Sequence, residues 1–356
     1  MIKSSGIFRQ RAKKLVQTGL HTRMQLRSIS EARRGRKQLE AARGSLSKAS
    51  QCNIRDYAVE VLGWRGYAPW LALYTAAQGG FHPGWLPDNY YQRVAGPLVN
   101  GEYHHIARHR ACNGIAFDGS GFADIAYSVN GIFYDTSYGV IAPDDLNQFF
   151  QDRAKQLVFK ADSSGLGLGL AFFDAAEATP EALHPLGNGV LQNRITPHSF
   201  FDQFGLASLA TLRLVTAIGA DGVASVRGCY LKLGRAGGSH VVANDQVRVA
   251  VDWDTGEMAA EGYLSDWRPV VKHPDTGQPW GGQKIPCIAA CVQTVLKLHA
   301  QNTLPRLLCW DVAIDTLGDV QVLEWEGGVV SFAEATQGPC FADLGWDRLH
   351  LDGARS

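Results

Sequence analysis

Leu307-Leu308-Cys309-Trp310-Asp311-Val312-Ala313-Ile314-Asp315, the turn Thr316-Leu317-Gly318-Asp319, and Val320-Gln321-Val322-Leu323-Glu324-Trp325-Glu326 follow one another without a break. Two apolar runs around a short Gly/Asp turn predict a β-hairpin. Folding back at the turn brings Asp311 level with Glu324, so that Asp311, Glu324 and Glu326 converge. Crowded carboxylates repel one another, and their convergence implies a cation. Three oxygen donors on rigid strands suit one or two magnesium ions, which keep coordination positions open for phosphates. A surface hairpin with incidental acids is the plainer alternative.

About 150 residues upstream, Leu157-Val158-Phe159-Lys160 precedes Ala161-Asp162-Ser163-Ser164-Gly165-Leu166-Gly167-Leu168-Gly169 and then the apolar run Leu170-Ala171-Phe172-Phe173. Strand, Ser/Gly-rich turn and strand predict a flap whose backbone amides approach phosphate oxygens. The glycines are not followed by Lys-Ser/Thr, as in a Walker loop, nor by a helix pattern, as in a dinucleotide fingerprint. Lys160 ends the first strand, where a lysine reaches phosphates that the flap covers. An ordinary glycine turn is the competing reading.

Composition bounds the rest. With 356 residues and 46% hydrophobic content the chain has enough apolar material for two or three subdomains. No apolar stretch is long enough to span a bilayer, and the first residues lack the apolar centre of a secretory signal. Seven cysteines at scattered positions suit reduced thiols and a cytoplasmic chain. Cys287 and Cys291 stand four apart on a helix expected over residues 286–298, opened by Pro286. They lack further ligands for zinc and read as structural thiols.

A net charge of zero conceals an asymmetry: residues 1–50 hold thirteen Lys/Arg against Glu31 and Glu40, or +11, leaving −11 for the remainder. This basic helical arm suits contact with anionic lipid or a polyanionic glycan, which would bring the chain to the inner face of a membrane. Packing against the acidic body or a partner subunit is the alternative. Nucleic acid is disfavoured, because Phe8 alone in the arm offers a ring for base stacking. Its apolar positions read as too sparse for a large buried face. Beyond the arm the expected divisions are 51–135, a flap subdomain over 136–190, a strand-rich unit over 191–346 and a short tail over 347–356. Strands are expected over 207–218, 224–233 and 247–253. Nucleotide would lie in the cleft between the flap subdomain and the strand-rich unit.

Arg213 lies among Leu212, Leu214 and Val215, where a charge needs a partner or a cavity. Its fork geometry suits phosphate or acyl-phosphate as well as a structural salt bridge.

Together these segments resemble the ATP-grasp superfamily. The spacing of Asp311, Glu324 and Glu326 is similar to the magnesium triad of D-alanine–D-alanine ligase and its relatives, with Glu326 where that pattern has asparagine. The sugar-transfer-associated branch is the nearer likeness, over roughly residues 80–346. Its segments here are Gly80-Phe81-His82-Pro83-Gly84-Trp85-Leu86-Pro87-Asp88, Val158 to Gly165, Leu209-Ala210-Thr211-Leu212-Arg213-Leu214-Val215-Thr216 and His273-Pro274-Asp275-Thr276-Gly277. The resemblance implies an α+β ATP-grasp fold that binds nucleotide between two α+β subdomains. It implies ATP with Mg²⁺ (Mn²⁺ as the alternative) and a ligase that joins a carboxylate to an amine through an acyl-phosphate. Cell-surface polysaccharide biosynthesis is the implied setting, with a small or glycan-linked carboxylate. A kinase acting on a hydroxyl, or a non-catalytic nucleotide-binding protein, remains the alternative. By the same resemblance Lys160, Ser163, Ser164, Gly165, Gly167 and Gly169 hold phosphates, and Arg213 neutralises developing charge. Gln192 falls at the adenine hinge, and Asn244 faces the transferred phosphate. The superfamily's first ATP lysine has no counterpart near Ile106-Ala107-Arg108-His109-Arg110, where Arg108 and Arg110 are the candidates. His240 and His273 are the candidate bases.

Overall fold

A computed structural model describes residues 3–118, 121–164, 169–205, 208–235 and 245–352. The chain divides into two compact units, one of Met1–Ala95 with Glu334–Ser356 and the other of Gly96–Ala333.

The first unit is helical. Lys3–Arg43 is one helix, followed by Lys48–Asp56, whose N-cap Ser47 accepts from the Ser50 amide, and by Ala68–Gln78. Ala68–Gln78 has Pro69 in its first turn, where no amide is needed, and stops at Gly79 in the left-handed conformation (φ 82). Trp70 to Ala77 are all buried, as expected of a helix that is apolar on every side. The long helix packs on it through Ser28, Ala32, Gly35 and Leu39, all buried. Their 4-3-4 spacing puts them on one face, and three of the four are small enough to let the helices approach closely. Trp70 Nε1 donates to Ser28 Oγ at 2.8 Å, and Arg43 Nη1 to the Ala76 carbonyl at 2.8 Å. The expectation of a face too sparse to bury is therefore corrected for residues 28–43.

The second unit contains two antiparallel sheets. The six-stranded sheet uses β1 (Asp124–Val129), β2 (Ile132–Asp135), β3 (Val140–Ile141), β4 (Gln156–Ala161), β5 (Leu170–Asp174) and β6 (Gly189–Asn193), in the order β3-β2-β1-β6-β4-β5. The seven-stranded sheet uses β7 (Thr211–Ile218), β8 (Ala224–Leu233), β9 (Val247–Val251), β10 (Met258–Leu264), β11 (Pro269–Val270), β12 (Leu307–Ile314) and β13 (Val320–Glu326), in the order β11-β10-β9-β8-β7-β12-β13. The two expected hairpins are present as β4–β5 and β12–β13. The fold is α+β, as expected.

Alternation divides the larger sheet into two faces. Leu212, Leu214, Leu231, Val249, Leu308, Trp310 and Val312 point to one side. There they form a core with Cys291, Val295 and Leu298 of the helix Ile288–Gln301. Each fully buried Leu or Val there contributes about 1.5–3 kcal/mol. Their in-between neighbours Arg213, Tyr230, Lys232, Arg248 and Asp311 occupy the opposite face, which thus carries the charge. Cys291 is buried in the core, whereas Cys287 precedes the helix in a left-handed conformation (φ 54) and is exposed. The helix therefore begins two residues after the expected Pro286. Among the described residues no helix is long and apolar enough to cross a membrane.

Candidate active site

Strand register places four residues in a row on the charged face. Glu324 of β13 is opposite Asp311 of β12, Asp311 is opposite Arg213 of β7, and Arg213 is opposite Tyr230 of β8. Arg213 grips Asp311 with its fork, Nε to Oδ1 at 2.7 Å and Nη2 to Oδ2 at 2.8 Å. Its remaining nitrogen, Nη1, bonds Glu326, and Nη2 stands 4.0 Å from Glu324. Lys232 Nζ meets Asp311 Oδ2 at 2.6 Å. Burial pushes the Asp311 carboxyl upward, but Arg213 and Lys232 outweigh it and hold the group well below the usual carboxylate range. Glu324 moves the other way: loss of solvent raises it first, and the adjacent Asp311 charge raises it further.

The hairpin is irregular at this point. Asp311 pairs with Glu324 while Val312 pairs with Val322, so Leu323 is one residue in excess, a β-bulge. The Leu323 carbonyl accepts from Lys160 Nζ at 3.2 Å and from Gln192 Nε2 at 3.2 Å. Both donors belong to the six-stranded sheet, so the bulge is where the two sheets meet. Gln192 also donates to Asp124 Oδ1 at 2.7 Å, and Asp124 Oδ2 accepts from Asn113 Nδ2 at 3.0 Å. Burial raises the Asp124 carboxyl, opposed by these amides and by Lys160. Loss of solvent lowers the Lys160 ammonium, while Glu324 works to raise it. Gly189 permits the closeness of β6 to β4: a Cβ there would stand 2.3 Å from the Lys160 carbonyl oxygen.

Arg110 ties the base of the flap to the acidic hairpin. Its amide donates to Asp162 Oδ1 at 2.9 Å, Nη1 to the Ala161 carbonyl at 2.6 Å, and Nη2 to the Ser164 carbonyl and to Glu324 Oε2, each at 3.3 Å. Ser163 has φ 55 and donates its amide to the Arg108 carbonyl at 2.9 Å, and Ser164 Oγ donates to the Ala161 carbonyl at 2.6 Å. Gly169 closes the turn at φ 75, where a Cβ would meet that of Ser164 at 2.9 Å. Only glycine fits there.

Of the expected site residues, Lys160, Arg213, Asp311, Glu324 and Glu326 come together, and Ser163, Ser164 and Gly169 lie at the flap base beside Arg110. Gln192 is buried, with its amide on Asp124 and Leu323 and its strand paired on both sides. A contact between that side chain and adenine would cost both bonds. Gly165, Gly167, Asn244 and His240 lie outside the described residues. His273 is buried, with Nε2 at 2.9 Å from the Gly234 carbonyl. Lys232, Asp124 and Asn113 were not singled out from the sequence. Lys232 carried the same signal as Arg213, a charge flanked by Leu231 and Leu233 in a strand.

Among the described residues no group of three or more His, Cys, Asp or Glu stands close enough to hold a metal ion as placed; the acids are met by side-chain cations instead. The donor set still suits magnesium, being all carboxylate. Glu324 and Glu326 retain 37% and 44% side-chain exposure, and the repulsion among the acids is the kind that a cation relieves.

Comparison with curated proteins finds no sequence relative. Among solved structures the chain is similar to biotin carboxylase from Campylobacter jejuni in complex with β-γ-ATP (TM-score 0.47, 10% identity), covering 89% of this chain and 68% of that one. It is similar to an N5-carboxyaminoimidazole ribonucleotide synthetase in its ADP complex (TM-score 0.39, 10% identity, 73% and 57% covered). It is similar also to a D-cycloserine synthetase (TM-score 0.41, 14% identity, 72% and 73% covered). A protein-family model described as sugar-transfer associated ATP-grasp matches residues 184–331, which run from β6 through the acidic hairpin. Residues 184–331 are thus similar to the sugar-transfer associated ATP-grasp family, the branch that the Arg213 and His273 segments resemble.

Proposed function

We propose that the protein is an ATP-dependent ligase that activates a carboxylate as an acyl-phosphate for attack by an amine. The observation that carries this reading is the register row Glu324–Asp311–Arg213, faced across the Leu323 bulge by Lys160. Arg110, Lys160, Arg213 and Lys232 match Asp124, Asp311, Glu324 and Glu326 in number, so the site is balanced as it stands. Asp311, Glu324 and Glu326 would hold Mg²⁺ or Mn²⁺, which when bound supplies charge neutralisation for the phosphates. With those acids satisfied, Arg110 and Arg213 become available to phosphate oxygens, bonds that charge strengthens. Lys160 ends β4, one residue before Ala161, whose amide donates to the Gly169 carbonyl at 3.0 Å at the base of the flap. Arg213 then faces the charge that develops on the transferred group, the role that fixed donors fill best in a dry site.

The words sugar-transfer associated support a carboxylate carried on a sugar or glycan precursor, and hence polysaccharide biosynthesis in the cytoplasm. Incubation with ATP, Mg²⁺, a pool of sugar acids and hydroxylamine should yield ADP and a hydroxamate. A phosphoester in place of the hydroxamate would instead identify a kinase. Glu324→Ala should cut turnover by at least roughly 10²-fold with an unchanged circular dichroism spectrum. Full activity in that variant would end the assignment of Glu324 to the site.

For the N-terminal helix, the contacts of residues 25–43, which begin with Gln25 on Asn89, leave residues 1–24, with six Lys/Arg and no acid, as the segment for an anionic membrane or polyanionic glycan. Deleting residues 1–24 should abolish co-sedimentation with anionic vesicles and acidic polysaccharide and leave turnover of a small substrate intact. Indifference of the full chain to both polyanions at low salt would refute it.

A further inference from the structure

We propose that Asp88 is a proton-operated latch for the N-terminal helix: the neutral acid lets the helix lie over it, and the ionised acid drives the helix off. Asp88 ends the segment 80–88, which the nucleotide reading leaves without a task. That segment is fixed inside the first unit. Trp85 Nε1 donates to the Glu334 carbonyl at 2.9 Å, the Leu86 amide to Glu334 Oε2 at 3.1 Å, and the Tyr74 hydroxyl to the Leu86 carbonyl at 3.4 Å. The long helix packs on the turn that follows, Asp88–Tyr90. Asn89 Nδ2 donates to Gln25 Oε1 at 3.2 Å, and Gln25 Nε2 to the Asn89 carbonyl at 3.4 Å. Asp88, beside these bonds, is 4% exposed.

Its two oxygens are served unequally. Oδ2 accepts from Gln92 Nε2 at 2.6 Å, whereas Oδ1 is buried with no hydrogen-bond partner among the described residues. A buried carboxylate with one neutral donor is unfavourable, because little replaces the water it lost. Three side chains face it: Glu31 on the long helix, Tyr74 on Ala68–Gln78 and Gln92 beyond its own turn. The Tyr74 hydroxyl accepts from the Asp88 amide, and burial keeps it neutral by raising it well above its usual value. Of the three, Glu31 thus carries the charge, and its sign repels an ionised Asp88. Burial first and Glu31 second raise the Asp88 carboxyl from 3.8 to about 7. With the helix lifted, water reaches the acid and the value returns toward 3.8. The docked form therefore binds the proton more tightly. Docking is strongest below about 3.8, weakens as pH climbs to about 7, and is level beyond. Residues 1–24 belong to the same helix, so the latch makes the presentation of their six Lys/Arg depend on pH.

Amide hydrogen exchange of the full-length protein, each rate divided by its intrinsic rate at that pH, supplies the test. Between pH 6 and pH 8 residues 25–35 should lose protection by roughly tenfold, as linkage requires of a group at about 7. Thr211–Ile218 and Leu307–Ile314 of the second unit should hold theirs. Asp88→Asn keeps an acceptor for Gln92 and cannot ionise, so its protection should be equal at both pH values. Glu31→Gln leaves the buried acid untouched and should move the midpoint to lower pH. Glu334→Gln should keep the full dependence, because Glu334 bonds the Leu86 and Cys340 amides. Protection of residues 25–35 that ignores pH in the wild type, or a dependence that survives Asp88→Asn, would overturn the proposal. An unmoved midpoint in Glu31→Gln would do the same. So would loss of protection in Ala68–Gln78 in step with the helix, since that means loosening of the whole unit.

Discussion

Asp311 in the second unit and Glu334 in the first are both buried acids, yet one is met by cations and the other by neutral groups. Asp311 has Arg213 and Lys232 on its oxygens and is held far below the usual carboxylate range. Glu334 accepts from the amides of Leu86 at 3.1 Å and Cys340 at 3.0 Å, and its own carbonyl accepts from Trp85 Nε1. Glu334 is fully buried, and burial pushes its carboxyl up to about 8 in spite of the two amides. Asp88 behaves similarly: buried, with Gln92 Nε2 donating to its Oδ2 at 2.6 Å, it is raised to about 7 by burial and then by the charge of Glu31. Two backbone amides do not offset burial at Glu334, whereas two full charges on neighbouring strands do at Asp311. An ionised acid surrounded by cations is what a site for phosphate and metal requires. A protonated one is a packing element.

The comparison breaks most visibly at Asp311. Asp311→Ala leaves Arg213 and Lys232 buried and facing each other without their shared carboxylate, and the expected loss is about 3–5 kcal/mol of stability. Urea denaturation of the variant beside wild type reads this directly. A loss under about 1 kcal/mol would mean that the two cations are solvated in the folded state, and the contrast with Glu334 would fail. The pair also fixes a direction with pH. A carboxyl depressed in the folded state contributes its full stability above its ordinary value near 3.8 and loses it as pH falls below that.

Much of this contrast was readable from residue order, because a short turn between two apolar runs fixes which residues face each other. Asp311 and Glu324 stand opposite for that reason. The Leu323 bulge was not readable, since one extra residue in a strand leaves no mark in alternation so short. Nor were the partners Asp124, Asn113 and Gln192, which come from separate elements of the unit and meet only through tertiary packing. Lys232 has the same flanks as Arg213, leucine on both sides, but lies outside the segments that carry the family resemblance. The buried stripe Ser28, Ala32, Gly35 and Leu39 escaped because small residues score as neither polar nor apolar, while close helix packing depends on them. Hydrophobic periodicity sees large side chains, and this interface is made mostly by small ones.

Glu334→Gln tests the other side of the comparison, with a smaller effect that depends on pH. A carboxyl whose value rises from 4.5 in the unfolded chain to about 8 in the fold binds more protons folded than unfolded throughout that interval. Stability must then fall as pH climbs from about 4.5 to about 8, and level off beyond. Glutamine keeps the acceptor oxygen for one of the two amides and never carries charge, so the variant should show a flatter stability curve over the same interval. At pH 8 and above it should be the more stable protein. Near pH 5, where wild-type Glu334 is protonated in the fold, it should be close to equal or slightly weaker, having lost an acceptor for the Leu86 or the Cys340 amide. Thermal melts of both proteins between pH 5 and pH 9 supply the curves. Parallel curves would mean that Glu334 is ionised in the folded chain, and that the amides of Leu86 and Cys340 do for it what Arg213 and Lys232 do for Asp311.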